Sequence, residues 1–191
     1  MKTYEVEIKV EHTENQRLEL LQKFLELCFV DNGVVSQQDR YTKAVLSQYG
    51  DPKAFDIERY RSEDSKFFFT KKDWEVEGGK PVRKEDEREI TRREFDVAIA
   101  GHPNALKIIK DRHRFKASFE GIDISLSIDS VKFDHSPSVR HFMEPEILVE
   151  DKARVQETKE FLRRFVSFLL DIPTSQIVEA PGMFAMAFKK L

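Results

Sequence analysis

The sequence lacks most of what would tie it to a membrane, a nucleic acid or an oxidising compartment. It has one cysteine among 191 residues. A lone cysteine excludes an intramolecular disulfide. Cys28 lies in the apolar helical stretch LQKFLELCFV, so the expectation is a buried thiol in a reducing compartment. No apolar run has the length of a membrane span, and no signal-type segment opens the sequence. A cytoplasmic protein with no membrane partner is therefore expected. Nor is there an excess of one charge: 32 Lys and Arg stand against 35 Asp and Glu, for a net charge of −3. Nucleic-acid binders usually carry a basic excess, so no nucleic-acid partner is expected. There is no internal repeat and no low-complexity segment. The five histidines, His12, His102, His113, His135 and His141, show no metal-ligand spacing.

What the chain does have is charge and phenylalanine. Charged residues make up 35% and hydrophobic residues 40%, with 16 Phe. That is enough to bury a sizeable core, and one domain over residues 1–191 is the default at this length. Because the charges nearly cancel, the many Arg and Lys must lie near Asp and Glu.

Strand-type alternation dominates the chain. Residues 4–10, YEVEIKV, alternate Val6, Ile8 and Val10 with Glu5, Glu7 and Lys9. Thr13 and Gln16 then form a capping box, and Leu18, Leu21, Leu25 and Cys28 follow at helical spacing. A helix is expected over about 14–30, ended by a turn at DNG. Further strands are expected at 34–41, 54–63, 65–74, 82–90, 105–120, 121–133 and 138–150, with a Gly-Pro-rich hairpin turn near 75–81. Helices are expected at 92–100 and, amphipathic, at 152–170. Phe67, Phe68 and Phe69 are expected in the core. About eight mostly sequential strands with helical inserts suggest an α+β fold built on an antiparallel β-barrel with helices outside.

Any one charged strand face is well explained as the wet side of a half-buried sheet. The set is harder to explain that way. Arg59 and Arg61 are in phase on one strand, as are Lys110, Arg112 and Arg114 on another. Glu85, Glu87 and Glu89 are in phase on a third, and Glu144 and Glu146 on a fourth. A surface selected only for solubility intersperses signs. Like charges in phase repel unless a counter-ion sits between them. Carboxylate clusters suit hard divalent cations, and Arg and Lys clusters suit phosphate oxygens. A polyphosphate bridged by metal ions meets both needs.

These residues also match a known pattern. Glu5-Val6-Glu7-Ile8-Lys9 resembles the ExExK signature of the CYTH family, the triphosphate tunnel metalloenzymes. That family includes class IV adenylyl cyclases, thiamine triphosphatases and inorganic triphosphatases. The later family motifs follow in order: Tyr41, Arg59-Tyr60-Arg61, Thr70-Lys71-Lys72, Arg83-Lys84-Glu85-Asp86-Glu87, Lys110-Asp111-Arg112 with Phe115, Asp129, and Glu144-Pro145-Glu146. The resemblance covers about residues 4–150, and the long final helix fits the family's C-terminal helix. There are departures. Lys-Asp-Trp stands where Gly-Pro often follows the Lys of the fourth strand. HSPSVRH replaces the usual Leu-Gly before the last strand. The C-terminal Ser-Tyr or Arg-Tyr motif is absent, with Met183-Phe184 nearby. Pro145 lacks a ladder donor and suggests an edge or bulge.

The resemblance implies an eight-stranded antiparallel tunnel with a polar lumen and flanking helices. Arg59, Arg61, Lys72, Lys110 and Arg112, with Lys189 or Lys190, would cradle the phosphates. Glu5, Glu7, Asp129, Glu144 and Glu146, with Glu85 or Glu87, would hold Mg2+ or Mn2+. Lys9 and Tyr41 would manage the nucleophile or a proton. The implied partner is a small-molecule triphosphate, and the implied assembly is a monomer or homodimer. The implied activity is hydrolysis of an inorganic, nucleoside or organic triphosphate. The alternatives are a class IV adenylyl cyclase, making cyclic AMP and pyrophosphate, and a non-catalytic polyphosphate-binding module.

Overall fold

The computed structural model describes residues 4–44, 57–77, 80–134, 136–183 and 186, with the backbone alone at 43–44, 73–77 and 80–84. Lys189, Lys190, His135, Phe184 and the Gly78-Gly79 turn lie outside the described residues, as do the side chains of Trp74 and Arg83. The chain divides into two compact units, Met1–Val35 with Lys110–Leu191, and Ser36–Ile109.

The first unit contains β1 (Tyr4–Glu7), β2 (Val10–His12), α1 (Glu14–Glu26), the start of β3 (Val30–Ala44), most of β7 (Leu106–Phe119), β8 (Ile122–Phe133), β9 (Val139–Val149) and α3 (Val155–Leu170). Its strands are ordered β1-β9-β8-β7, with β2 also on β9. The second unit contains the rest of β3, β4 (Ile57–Glu63), β5 (Lys66–Glu77), β6 (Lys80–Ile90) and α2 (Arg92–Gly101), with the order β3-β4-β5-β6. The β1–β9, β2–β9, β8–β9, β3–β4, β4–β5 and β5–β6 ladders are antiparallel, so the fold is α+β as expected.

Period-two alternation sorts the first unit into an apolar face and a charged one. Val6, Ile8, Val10, Ile124, Leu126, Ile128 and Met143 turn to one side, where α1 adds Leu20 and Phe24 and α3 adds Phe161, Leu162, Phe165, Val166 and Leu169. The edge-to-face contact of Phe24 with Phe115, centroids 5.1 Å apart, ties α1 to β7. In the second unit α2 docks through Phe95, whose ring lies 5.1 Å from Phe67. Tyr60 and Phe69 pack beside them, centroids 5.0 Å apart. Phe67, Phe68 and Phe69 are half-buried rather than fully in the core, because α2 is short and covers only part of β5.

Two capping boxes start helices. Thr13 with Gln16 starts α1 and Thr91 with Glu94 starts α2. The end of α1 corrects one expectation. The helix stops at Glu26, and Cys28 is exposed, with φ +56. The Phe29 amide bonds to the Phe24 carbonyl and the Cys28 amide to the Leu25 carbonyl, each at 3.0 Å. That is a Schellman cap with Cys28 in the left-handed position usually given to glycine. The Phe24–Phe29 ring contact is its apolar partner. The DNG stretch is not a free turn either: β3 starts at Val30 and runs through it. Gly33 takes φ +80, and its amide donates to the Asp31 carboxylate at 2.7 Å.

Pro145 makes neither an edge nor a register-shifting bulge. Tyr4–Glu7 and Val10–His12 pair with β9 in one unbroken register. Only Ile8 and Lys9, between them, fall outside strand assignment. The Ile8 amide donates to the Pro145 carbonyl at 3.2 Å. Pro145 has no N–H to return that bond, so the interruption falls opposite it.

Candidate functional site

The charged faces are built by register. In the second unit Tyr41 stands opposite Arg59, Arg59 opposite Thr70, and Thr70 opposite Glu87. The Arg59 guanidinium donates to Thr70 Oγ1 at 2.9 Å, Glu87 Oε2 at 2.9 Å and Glu85 Oε1 at 3.2 Å. Thr70 in turn donates to Glu87 Oε2 at 2.7 Å. Lys72 donates to Glu85 Oε2 at 2.8 Å. Next to this row, Arg61 meets Asp39 with two bonds of 2.7 and 3.0 Å. Burial alone would weaken the charge on Arg59, but Asp39, Tyr41, Glu85 and Glu87 outweigh it and raise its pKa. The β3–β4 register shifts between Tyr41 and Lys43, so a bulge adjoins Tyr41.

In the first unit Glu144 is the hub. Its Oε1 lies 2.7 Å from Lys9 Nζ, and its Oε2 pairs with Arg112. Arg112 also grips Asp129 through two bonds of 2.8 and 2.6 Å. Burial would push the Glu144 carboxyl up, but Lys9, Arg112 and Lys110 hold it well below its ordinary range. Lys9 is raised despite burial, because Glu144 and Glu7 favour its charge. Glu7 stands directly opposite Glu146, and Glu5 lies two residues earlier on the same face, each half-buried.

The structure therefore gathers Glu5, Glu7, Lys9, Lys110, Arg112, Asp129, Glu144 and Glu146 in one unit. It gathers Tyr41, Arg59, Arg61, Lys72, Glu85 and Glu87 in the other. Sequence reasoning missed Asp39, which is 2% exposed and is Arg61's partner. Its signal was weak but present, because Asp39 is in phase with Tyr41 in QQDRY.

Among the described residues, no three Asp, Glu, His or Cys side chains converge into a ready-made ion site. The donor chemistry still fits a hard cation. Glu7 and Glu146 put two carboxylates directly across one ladder, and buried Glu144 follows two residues along β9. Oxygen-only donors of this kind suit Mg2+ or Mn2+. Ion pairs to Lys9 and Arg112 now neutralise Glu144, so such an ion would compete with those cations.

No family model and no curated protein matches the sequence. Solved structures do match by shape. The PH1819 protein of Pyrococcus horikoshii OT3 aligns with TM-score 0.69 at 19% identity, over 98% of this chain and 100% of that one. A Bacillus halodurans protein named as an adenylate cyclase candidate aligns with TM-score 0.65 at 13% identity, over 98% and 100%. HpAC1 from Hippeastrum, an adenylyl cyclase candidate with a dominant triphosphatase activity, aligns with TM-score 0.57 at 16% identity, over 100% and 96%. The chain shares the fold of these structures, which agrees with the resemblance of its motifs to the CYTH family. That fold is not itself an activity: a chain of the Schizosaccharomyces pombe Mediator head module also matches, with TM-score 0.54 at 12% identity over 87% and 94%. No helix among the described residues is long and apolar enough to cross a membrane.

Proposed function

We propose that this protein processes a triphosphate, transferring a phosphoryl group to water with the help of a divalent cation. One observation carries the reading. Lys9, Arg59, Arg61, Lys72 and Lys110 are all buried, none more than 9% exposed. Lys and Arg are rarely buried without a partner, and burying this many costs stability that a soluble fold has no reason to spend. Carboxylates now hold several of them in place. A phosphate arriving on the charged face of either unit would replace one anionic partner with another.

The roles follow from the family resemblance and from the chemistry of each side chain. Arg59 and Arg61 offer rigid forks suited to phosphate oxygens, and Lys72, Lys110 and Arg112 add further positive charge. Thr70 and Glu87 aim the Arg59 fork before any ligand is present. Glu5, Glu7, Asp129, Glu144 and Glu146 would hold Mg2+ or Mn2+ in the first unit, and Glu85 or Glu87 would offer a ligand in the second. Such an ion supplies charge neutralisation on the transferring phosphoryl group. Lys9 and Tyr41 would orient the nucleophile or hold a proton beside it, and Lys189 is kept as a candidate phosphate contact. In phosphoryl transfer, positioning and charge stabilisation supply most of the rate. This chemistry suits a cytoplasmic enzyme acting on a small molecule, alone or as a homodimer.

The test is a product assay. The protein is incubated with inorganic triphosphate or ATP and Mg2+ or Mn2+, and the products are resolved. Orthophosphate supports the reading. Cyclic AMP with pyrophosphate supports the second reading, a class IV adenylyl cyclase, which the likeness to the Bacillus halodurans adenylate cyclase candidate favours. No product with any triphosphate, together with measurable binding, would leave only a non-catalytic phosphate-binding module.

A further inference from the structure

Two local features converge on the backbone at Lys9. On one side, Pro145 withholds a ladder bond, and the strand is interrupted at Ile8 and Lys9. On the other side, the segment after α3 returns to this strand. The Ala180 amide donates to the Lys9 carbonyl at 2.8 Å. The bond Pro145 withholds is the one the Ile8 carbonyl would accept, and the next carbonyl along, that of Lys9, faces away from β9 and is taken by the C-terminal segment.

That segment is itself anchored. Glu179, the residue before Ala180, receives Lys159 at 2.8 Å and also pairs with Arg163. Arg163 bonds the Thr174 carbonyl at 3.1 Å and the Ile177 carbonyl at 3.3 Å, clamping the turn that brings the chain back. Ile177 and Met183 are buried on either side of the latch. Lys159 and Arg163 are one helical turn apart on α3, so both reach the same carboxylate. None of these residues lies on the charged face.

We propose that Glu179 is a positioning residue for Lys9. By fixing Ala180 against the Lys9 carbonyl, it sets the strand so that the ammonium meets Glu144. The proposal rests on the functional reading above. It adds that the orientation of Lys9 depends on a salt-bridged latch outside the site. Phosphate-cradling residues such as Arg59 do not depend on this latch, so substrate binding and turnover separate.

The test is kinetic, with a structural control. Glu179→Ala should lower kcat about tenfold and leave KM within about twofold. Glu179→Asp, which keeps the charge, should restore part of the loss. Hydrogen exchange should show the Ala180 amide protected in the parent and unprotected in Glu179→Ala, with core amides of β8 unchanged. The deciding arm repeats Glu179→Ala in a Lys9→Met background in single turnover. If Glu179 acts through Lys9, the second substitution adds nothing. An equal further loss there would mean a merely structural role and overturn the proposal, as would an unchanged kcat in the single variant. Lys9→Met with full turnover would instead sink the role of Lys9 in the functional reading.

Discussion

Glu7 and Glu146 stand directly opposite each other in the β1–β9 ladder, both half-buried. Two carboxylates across one ladder repel, while Lys9 and Arg112 engage Glu144 beside them. A divalent cation between the two carboxylates would turn that repulsion into shared attraction. Mg2+ or Mn2+ at about 100 times its dissociation constant should stabilise the fold by about 2.7 kcal/mol. At this chain length that raises the Tm by about 5–10 °C, and a chelator should reverse it. Glu7→Gln should abolish the metal-dependent rise, and because Lys9 loses a favourable neighbour its metal-free Tm should be equal or lower. Thermal melts in a metal titration check both, and a rise that survives in Glu7→Gln would exclude this carboxylate as a ligand.

Arg61 and Asp39 form a buried two-point pair, so neither can lose the other cheaply. Asp39→Ala should cost about 3–5 kcal/mol in denaturant unfolding, because it strands a buried guanidinium. Replacing both with apolar residues of similar size should cost much less, because the stranded charge is gone. A double variant as unstable as the single would show that the loss comes from packing and not from charge.

The charged strands were legible in the sequence because period-two alternation survives any tertiary arrangement. Glu5, Glu7 and Lys9 could therefore be placed on one face of one strand. The same signal could not say which cation meets which carboxylate. The Glu144 hub depends on β9 lying between β1 and β8, a long-range fact that spacing does not contain. Asp39 was overlooked because a lone Asp before Arg40 reads as an ordinary strand polar residue. Cys28 misled for the opposite reason. Its apolar neighbours suggested burial, but the chain turns left-handed there to cap α1, which swings the thiol outward. Pro145 suggested a break in pairing, yet a proline inside a sheet can cost a single bond when the rest of its ladder stays in register.

Arg59 touches three partners on its face, Thr70, Glu85 and Glu87. Arg59→Ala should lower kcat/KM for triphosphate about 100-fold or more, the scale of losing one preorganised charge-stabilising donor. Arg59→Lys should recover little, because an ammonium cannot span the three acceptors that the fork reaches. Steady-state kinetics on whichever triphosphate is turned over checks this. Full activity in Arg59→Ala would remove Arg59 from the proposed phosphate contacts.

Glu144 and Lys9 give stability a dependence on pH at both ends. The folded Glu144 carboxyl is held well below its ordinary 4.5. Its contribution is therefore full above that value and is lost as pH falls through the lower folded value. Lys9 is raised above its ordinary 10.5. Its contribution is full below that value and is lost as pH rises through the raised one. Glu144→Gln removes the acid-sensitive group and takes from Lys9 the partner that raised it. The variant should be about 3 kcal/mol less stable at neutral pH, because Lys9 loses a buried counter-charge. Its stability should then vary less with pH below 4.5 and above 10.5 than the parent's. Denaturant midpoints measured across that range decide the matter. An acid limb as steep in Glu144→Gln as in the parent would move the acid sensitivity to other carboxylates.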